Sequence, residues 1–61
     1  QYRRSIYVAQ DIKAGDVLTS ENLRIVRPAF GLSPKHWSSV LGKTAKTDLV
    51  KGTPLDWQWI D

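Results

Sequence analysis

The pattern of apolar and polar positions divides the chain into short apolar runs separated by polar turns. Residues 5–9 and 23–26 are apolar runs with several β-branched side chains and polar flanks, so each predicts a strand. Residues 11–16 between them are typical of a turn, with Gly15 at the position that requires a positive φ. Thr19 is suited to cap one helical turn just before the second strand.

One short α-helix is predicted to follow in the middle of the chain. Ser33 is a favourable N-cap, and Pro34 suits the first helical position because its missing N–H would have no partner there. Three apolar residues share one face at helical spacing: Trp37, Val40 and Leu41. Gly42 then ends the helix. A helix of about two turns is stable only when it packs on the rest of the domain.

Residues 48–55 repeat the pattern of residues 11–18 at a constant offset of 37 positions, from Asp11 to Asp48. Asp, Gly and Leu recur at matching places, and Asp56 and Thr19 are matching N-cap residues. The alternative is a chance similarity between two loops. Two copies of a strand, a turn and a capped helical turn predict a small, mostly β domain with a pseudo-two-fold repeat, and the strands are too short for a sandwich.

The composition narrows the possible functions. The 61 residues include no cysteine, so disulfides and thiolate metal sites are excluded, and the single His36 lacks carboxylates at a spacing that would complete a metal site. The basic residues are spread along the chain, which argues against a nucleic-acid surface despite a net charge of +3. No apolar run approaches the roughly 20 residues of a membrane span. No paired carboxylates or nucleophile and base lie at a usable spacing, so we expect no catalytic residue.

The chain contains no methionine, not even at position 1, and we interpret it as a piece excised from a longer protein or as a processed product. Residues 1–4 are then the remnant of a linker, and residues 5–61 form the domain. Such a piece can carry part of a site without any chemistry of its own.

The most distinctive candidate for a binding residue is Arg27. Pro28 disfavours helix at the residue before it, so we expect Arg27 in extended backbone. Gly31 allows a tight bend a few residues later. These features predict an extended arm, supported by Pro28, Phe30 and Gly31, that presents a guanidinium at a fixed place. The alternative is a plain surface loop with a solvated arginine.

Taken together, the chain resembles the antifreeze-like (SAF) domain of bacterial sialic acid synthases, which make N-acetylneuraminate, legionaminate or pseudaminate. The stretches that carry the resemblance cover nearly the whole chain: residues 4–6, 11–16, 18–23, 27–28, 31–34, 41–43 and 48–55. The resemblance implies a small β-clip fold of the type III antifreeze kind. It also implies a larger N-terminal (β/α)₈ (TIM) barrel in the parent chain. The parent protein would be cytoplasmic and would take part in polysaccharide biosynthesis.

In that family the barrel condenses phosphoenolpyruvate with N-acetylmannosamine or a related N-acyl amino sugar, using Mn²⁺ or Mg²⁺ that the barrel holds. The resemblance implies a domain-swapped homodimer in which this domain caps the barrel of the other protomer. By motif position, Arg27 would reach the N-acyl group of the acceptor sugar in trans. Ala29 and Phe30 follow Arg27 and Pro28, where relatives commonly have glycine followed by a varied residue. Residues 29–32 look somewhat like the legionaminic and pseudaminic acid synthase branches. The identity of the acceptor sugar is therefore left open.

Three other functions compete with this interpretation. Fish type III antifreeze proteins share the fold, but the charged Lys13, Asp16 and Glu21 crowd the face that would bind ice. A non-enzymatic SAF module of a flagellar or pilus assembly chaperone is the second alternative, and a domain that only cements a dimer is the third.

The aromatic residues bear on the last alternative. Trp57 and Trp59 belong either to the core or to an exposed docking patch. On a strand they would face the same side, whereas on a helical turn they would diverge. Tyr2 could serve the same docking role, whereas His36 is expected to be a polar surface residue.

Overall fold

The computed structural model describes residues 3–61, so the docking role considered for Tyr2 lies outside the described residues. The regular elements are few and short, as the pattern predicts. In chain order they are β1 (Ser5–Val8), β2 (Leu23–Val26), a 3₁₀ turn (Pro34–His36), α1 (Trp37–Val40) and a second 3₁₀ turn (Trp57–Trp59).

The two strands pair antiparallel into a two-stranded sheet. Ser5 lies opposite Val26 at one end of the register and Val8 lies opposite Leu23 at the other. All four residues of β1 are buried, whereas β2 buries only Leu23 fully. β1 is therefore covered on both faces by other parts of the chain. Its edge away from β2 forms backbone hydrogen bonds with Leu32 and with residues 52–55, so β1 is the central strand of the domain.

The repeat seen in the sequence is also a repeat in space. Ile12 and Leu49, which match at the offset of 37, exchange two backbone hydrogen bonds of 2.7 Å. On either side, the Asp11 Oδ1 accepts from the Lys51 N–H and the Asp48 Oδ1 accepts from the Ala14 N–H, both at 2.8 Å. The offset of 37 residues converts each of these bonds into the other, so an approximate two-fold axis passes between Ile12 and Leu49.

Further backbone pairs obey the same relation. The bridge between Tyr7 and Pro54 corresponds to the bridge between Thr44 and Val17. Gly15 and Gly52 occupy the same turn position, with φ of +91° and +93°. The predicted pseudo-two-fold, mostly β architecture is therefore confirmed, and chance similarity is excluded.

The turn caps match as well. Thr19 accepts the Glu21 N–H through its side-chain oxygen at 3.2 Å, and Asp56 accepts the Gln58 N–H at 3.0 Å. Both residues therefore act as the N-caps expected of them. In the first copy the result is a hydrogen-bonded turn, closed by the Leu23 N–H on the Thr19 carbonyl at 3.1 Å, and in the second copy it is a 3₁₀ turn.

The core lies between the two copies and draws side chains from both. Leu18 and its counterpart Leu55 are completely buried. The remaining buried apolar residues that form the cluster are Ile6, Val8, Ile12, Leu23, Val40, Ala45, Leu49 and Ile60. Burial of this apolar set is the main source of stability in a domain without disulfides.

The helix packs one face against this core. Ser33 caps its start by accepting the Lys35 N–H at 3.4 Å, and the first turn is 3₁₀ before α1 continues. Val40 is buried, and Trp37 and Leu41 are half-buried against the core. Gly42 ends the helix with φ of +89°, as predicted.

The two tryptophans near the C-terminus diverge on their 3₁₀ turn. Trp59 is half-buried and packs against the core, whereas Trp57 is 42% exposed. The Trp57 ring meets the His36 ring edge to face, with centroids 5.4 Å apart. Of the two roles considered for this pair, Trp59 takes the core role and Trp57 lies at the surface.

Candidate functional site: the Arg27 loop

The segment that carries the predicted binding residue is a loop of residues 27–31, here called the Arg27 loop. It leaves the end of β2 and lies over one face of β1. Side chains alternate along a strand, so Ser5 and Tyr7 share that face of β1 while Ile6 and Val8 point to the opposite face, where both join the core cluster. The loop therefore rests on the two hydroxyl-bearing residues of the central strand.

Both hydroxyls bind one carbonyl of the loop. The Tyr7 OH donates to the Pro28 carbonyl oxygen at 2.8 Å, and the Ser5 Oγ donates to the same oxygen at 3.1 Å. The Phe30 N–H is a third donor to it, at 3.0 Å. The Ser5 Oγ also accepts the Gly31 N–H at 3.0 Å. Among residues 3–61 no buried side-chain polar atom lacks a partner, so this network is complete.

Gly31 is the second point at which the loop is held. A Cβ at this residue would collide with the Ile6 carbonyl oxygen and approach the Leu55 nitrogen to 2.9 Å. Backbone hydrogen bonds continue from this point, because the Leu32 N–H donates to the Leu55 carbonyl at 2.9 Å. Glycine is therefore required for close packing here, and not for a positive φ as at Gly15.

The expected extended arm is wrong in its shape. The chain bends at Arg27 and Pro28, and the peptide bond between them is cis. The bend is maintained because the Pro28 carbonyl is drawn onto the hydroxyls of Ser5 and Tyr7, which lie beneath the loop. The expectation of a supported loop that displays Arg27 is consistent with these contacts, but the support comes from β1 as well as from the residues next to Arg27.

Two large side chains project from the loop. Arg27 is exposed, and within residues 3–61 its guanidinium makes no hydrogen bond. Phe30 is 73% exposed, the largest exposure of any large apolar side chain in the described residues. A guanidinium offers a planar fork of N–H donors and a phenyl ring offers an apolar face, so the loop can bind a ligand that has both a carbonyl or anionic oxygen and apolar surface.

No group of three histidine, aspartate or glutamate residues within residues 3–61 converges to hold a metal ion, so the donor set does not fit Mn²⁺ or Mg²⁺. No pocket opens in this part of the structure. None of its helices is long and apolar enough to cross a membrane.

The sequence singled out Arg27 as a candidate but did not single out Ser5 and Tyr7, whose hydroxyls bind its loop. The signal was present in part: hydroxyl-bearing residues at positions 5 and 7 must face the same side of a strand. Which loop they would meet does not follow from the local pattern, since their bonds to Pro28 span 23 and 21 residues. The other supporting residues named from the sequence, Pro28, Phe30 and Gly31, all lie in the loop.

The two-fold repeat of short strands, with one displayed loop, defines a small, mostly β domain. The sequence model described as the SAF domain matches residues 3–60, and the chain therefore belongs to the SAF domain family.

Similar proteins point to one branch of that family. The chain is 44% identical over 54 residues to a pseudaminic acid synthase of Campylobacter jejuni and 41% identical over 54 residues to that of Helicobacter pylori, each alignment covering 88% of the chain. It is 34% identical over 59 residues, or 97% of its length, to an N,N'-diacetyllegionaminic acid synthase of Legionella pneumophila. The resemblance to the sialic acid synthase family is confirmed, because the relatives that match over this region are pseudaminic and legionaminic acid synthases.

A solved structure shows the same fold. The crystal structure of a protein assigned to spore coat polysaccharide biosynthesis (protein E) from Chromobacterium violaceum superposes with a TM-score of 0.82 and 26% identity, over 97% of this chain and 18% of that one. The chain spans only 16% to 17% of the length of the curated synthases it matches. The match therefore concerns this domain and not the remainder of those proteins.

Proposed function

We propose that this chain is the capping domain of a synthase that condenses phosphoenolpyruvate with N-acetylmannosamine or a related N-acyl amino sugar. The observation that carries the proposal is the display of Arg27: an exposed guanidinium on a loop that is held at Pro28 and Gly31. The identity of 44% to a pseudaminic acid synthase supports the choice of reaction.

Arg27 is suited to hold the N-acyl carbonyl of the acceptor sugar. Its guanidinium is a rigid donor fork, and a carbonyl oxygen can accept one or two of its N–H groups. Because the loop is already fixed on β1, less conformational entropy is lost when the arginine engages its target. The exposed ring of Phe30 lies three residues from Arg27 and provides apolar surface for the acyl methyl or for the rim of a neighbouring domain.

The condensation itself belongs to another domain in this proposal. The described residues hold no cluster that fits a divalent metal, so the Mn²⁺ or Mg²⁺ of the reaction is assigned to a TIM-barrel domain of the parent protein. This domain would cover the barrel mouth of the other protomer in a cytoplasmic homodimer, exclude water there and orient the acceptor. Arg27 would then act in trans as a substrate-binding residue.

The acceptor is proposed to be one of the N-acylated amino sugars used by the pseudaminic and legionaminic acid branches. The support is the higher identity to the two pseudaminic acid synthases, 44% and 41%, compared with 34% for the legionaminic acid synthase. The alternative of a flagellar or pilus assembly chaperone has no comparable support among these relatives.

The decisive experiment replaces Arg27 with Ala in the full-length protein and measures condensation of phosphoenolpyruvate with a panel of N-acyl amino sugars. A hydrogen bond from a charged donor is worth roughly 1.5–3 kcal/mol, so we expect kcat/KM for the acceptor to fall at least about tenfold while the dimer persists by size-exclusion chromatography. Arg24→Ala is a matched control, because it removes another exposed arginine, from β2.

Near-normal rates of Arg27→Ala with every acceptor would contradict the assignment of Arg27 as a substrate-binding residue. The domain would then serve only to stabilise a dimer. Absence of synthase activity in the unmutated protein would favour the non-enzymatic binding module instead.

A further inference from the structure

We infer that Tyr7 and Ser5 are positioning residues, which set the place of Arg27 through the carbonyl of Pro28. The inference deepens the proposed function and rests on it. Neither hydroxyl would touch the sugar; each acts on the loop that carries the guanidinium.

The two hydroxyls have the location that this role requires. Ser5 is fully buried and Tyr7 is only 9% exposed, so both are fixed within the central strand. They reach the Pro28 oxygen at 3.1 and 2.8 Å, and Pro28 is the residue directly after Arg27. On the other side of Arg27, Val26 pairs with Ser5 in the sheet. Both neighbours of Arg27 in the sequence are therefore held by β1, Val26 through strand pairing and Pro28 through its carbonyl.

Ser5 also fixes the far end of the loop. Its Oγ donates to the Pro28 carbonyl and accepts the Gly31 N–H at 3.0 Å, so one hydroxyl joins both ends of the segment. Only Ala29 and Phe30 lie between those points. Loss of the Tyr7 hydroxyl would leave the Pro28 oxygen with two donors, and the loop would loosen without exposing an unsatisfied buried group.

The internal repeat shows that the fold itself does not require this pair of hydroxyls. At the offset of 37, Gly42 corresponds to Ser5 and Thr44 corresponds to Tyr7. The second copy makes the equivalent backbone bridge, between Thr44 and Val17, without a serine and a tyrosine at these positions. The fold therefore makes this bridge without the two hydroxyls, whose observed partners in the first copy lie in the Arg27 loop.

The test is Tyr7→Phe in the full-length protein, with steady-state kinetics for both substrates. A neutral hydrogen bond is worth about a factor of two to ten, so we expect the KM of the acceptor sugar to rise roughly fivefold. The KM of phosphoenolpyruvate should stay unchanged, and the midpoint of thermal unfolding should fall by no more than a few degrees, because the Pro28 oxygen keeps two of its three donors. In an Arg27→Ala background the same substitution should have no further effect, because the residue that it positions is gone.

A second measurement follows the loop directly. Hydrogen–deuterium exchange of a peptide that covers residues 27–32 should be faster in Tyr7→Phe than in the unmutated protein. Thr44→Val is the matched control, since it removes a hydroxyl at the pseudo-symmetric position, and it should change neither exchange in the loop nor the acceptor KM.

The outcomes separate the two proposals. An unchanged acceptor KM, unchanged loop exchange, or an equal loss in the Arg27→Ala background would overturn the positioning role while leaving the proposed function intact. An unaffected Arg27→Ala enzyme would overturn the proposed function, and the exchange rates alone would then decide whether Tyr7 holds the loop.

Discussion

Replacement of Gly31 by alanine tests whether the Arg27 loop is packed as tightly as the structure indicates. The added Cβ would meet the Ile6 carbonyl oxygen and the Leu55 nitrogen, the latter at 2.9 Å. These two atoms are themselves joined by a hydrogen bond of 3.0 Å. The methyl group would therefore press on both partners of a bond between two fully buried residues.

The size of the effect follows from this geometry. Ordinary contact begins near 3.4 Å, so the Leu55 nitrogen alone requires a retreat of about 0.5 Å (3.4 minus 2.9), and the Ile6 oxygen requires more. Overpacking typically costs about 1–3 kcal/mol and a weakened hydrogen bond adds about 1 kcal/mol. We expect a loss of about 2–4 kcal/mol from a domain whose total stability is on the order of 3–9 kcal/mol.

Urea and thermal unfolding of the 61-residue chain, followed by tryptophan fluorescence, would measure this loss. A loss of that size corresponds to a fall in the unfolding midpoint of roughly 10–25 °C. Gly15→Ala is the matched control: Gly15 has φ of +91° and nothing within 4 Å of an added Cβ, so its cost of about 1–2 kcal/mol arises from backbone conformation alone.

Asparagine separates the two mechanisms further. It tolerates a positive φ better than alanine does, so Gly15→Asn should be milder than Gly15→Ala. At Gly31 the larger side chain should be at least as harmful as alanine. The reasoning would be refuted if Gly31→Ala were no worse than Gly15→Ala, or if asparagine relieved the defect at Gly31.

Two further predictions concern the repeat and the tryptophans. Asp11→Ala and Asp48→Ala should each lower the free energy of unfolding by about 1–2 kcal/mol, because each removes the acceptor of one backbone N–H in equivalent turns. The two losses should be similar, and unequal losses in urea unfolding would contradict the symmetry of the two turns. Trp59→Ala should lower the free energy of unfolding by about 2–4 kcal/mol and clearly more than Trp57→Ala does, because of the two only Trp59 packs against the core. Equal unfolding midpoints of the two variants would contradict this difference in burial.

The parts of the fold that could be predicted from the sequence depend on local chemistry. The cap at Ser33 and the positive φ of Gly15 and Gly42 follow from residue type and neighbours within a few positions. The repeat could also be found, because the same residue types recur at one offset. The cap and the glycines are each encoded by a few neighbouring residues, and the repeat is visible because two segments 37 residues apart share one pattern.

The parts that could not be predicted depend on contacts between distant segments. Gly31 was expected to allow a bend, yet its real constraint is the backbone of Ile6 and Leu55, which lie about 25 residues away on either side. The Ser5 Oγ bonds to the Gly31 N–H across 26 residues. The bend at Arg27 likewise results from where β1 lies, which no local propensity specifies.

The offset of 37 residues also describes how the domain is held together. The bridges Tyr7 with Pro54, Ile12 with Leu49, and Val17 with Thr44 each join one copy to the other. Each copy therefore forms these backbone bridges with the other copy. Two molecules of a peptide of about 37 residues, each containing one copy, would form the same set of bridges if they paired. The chain has the form of a homodimer fused into one polypeptide, and the Arg27 loop lies in the segment that connects the two copies.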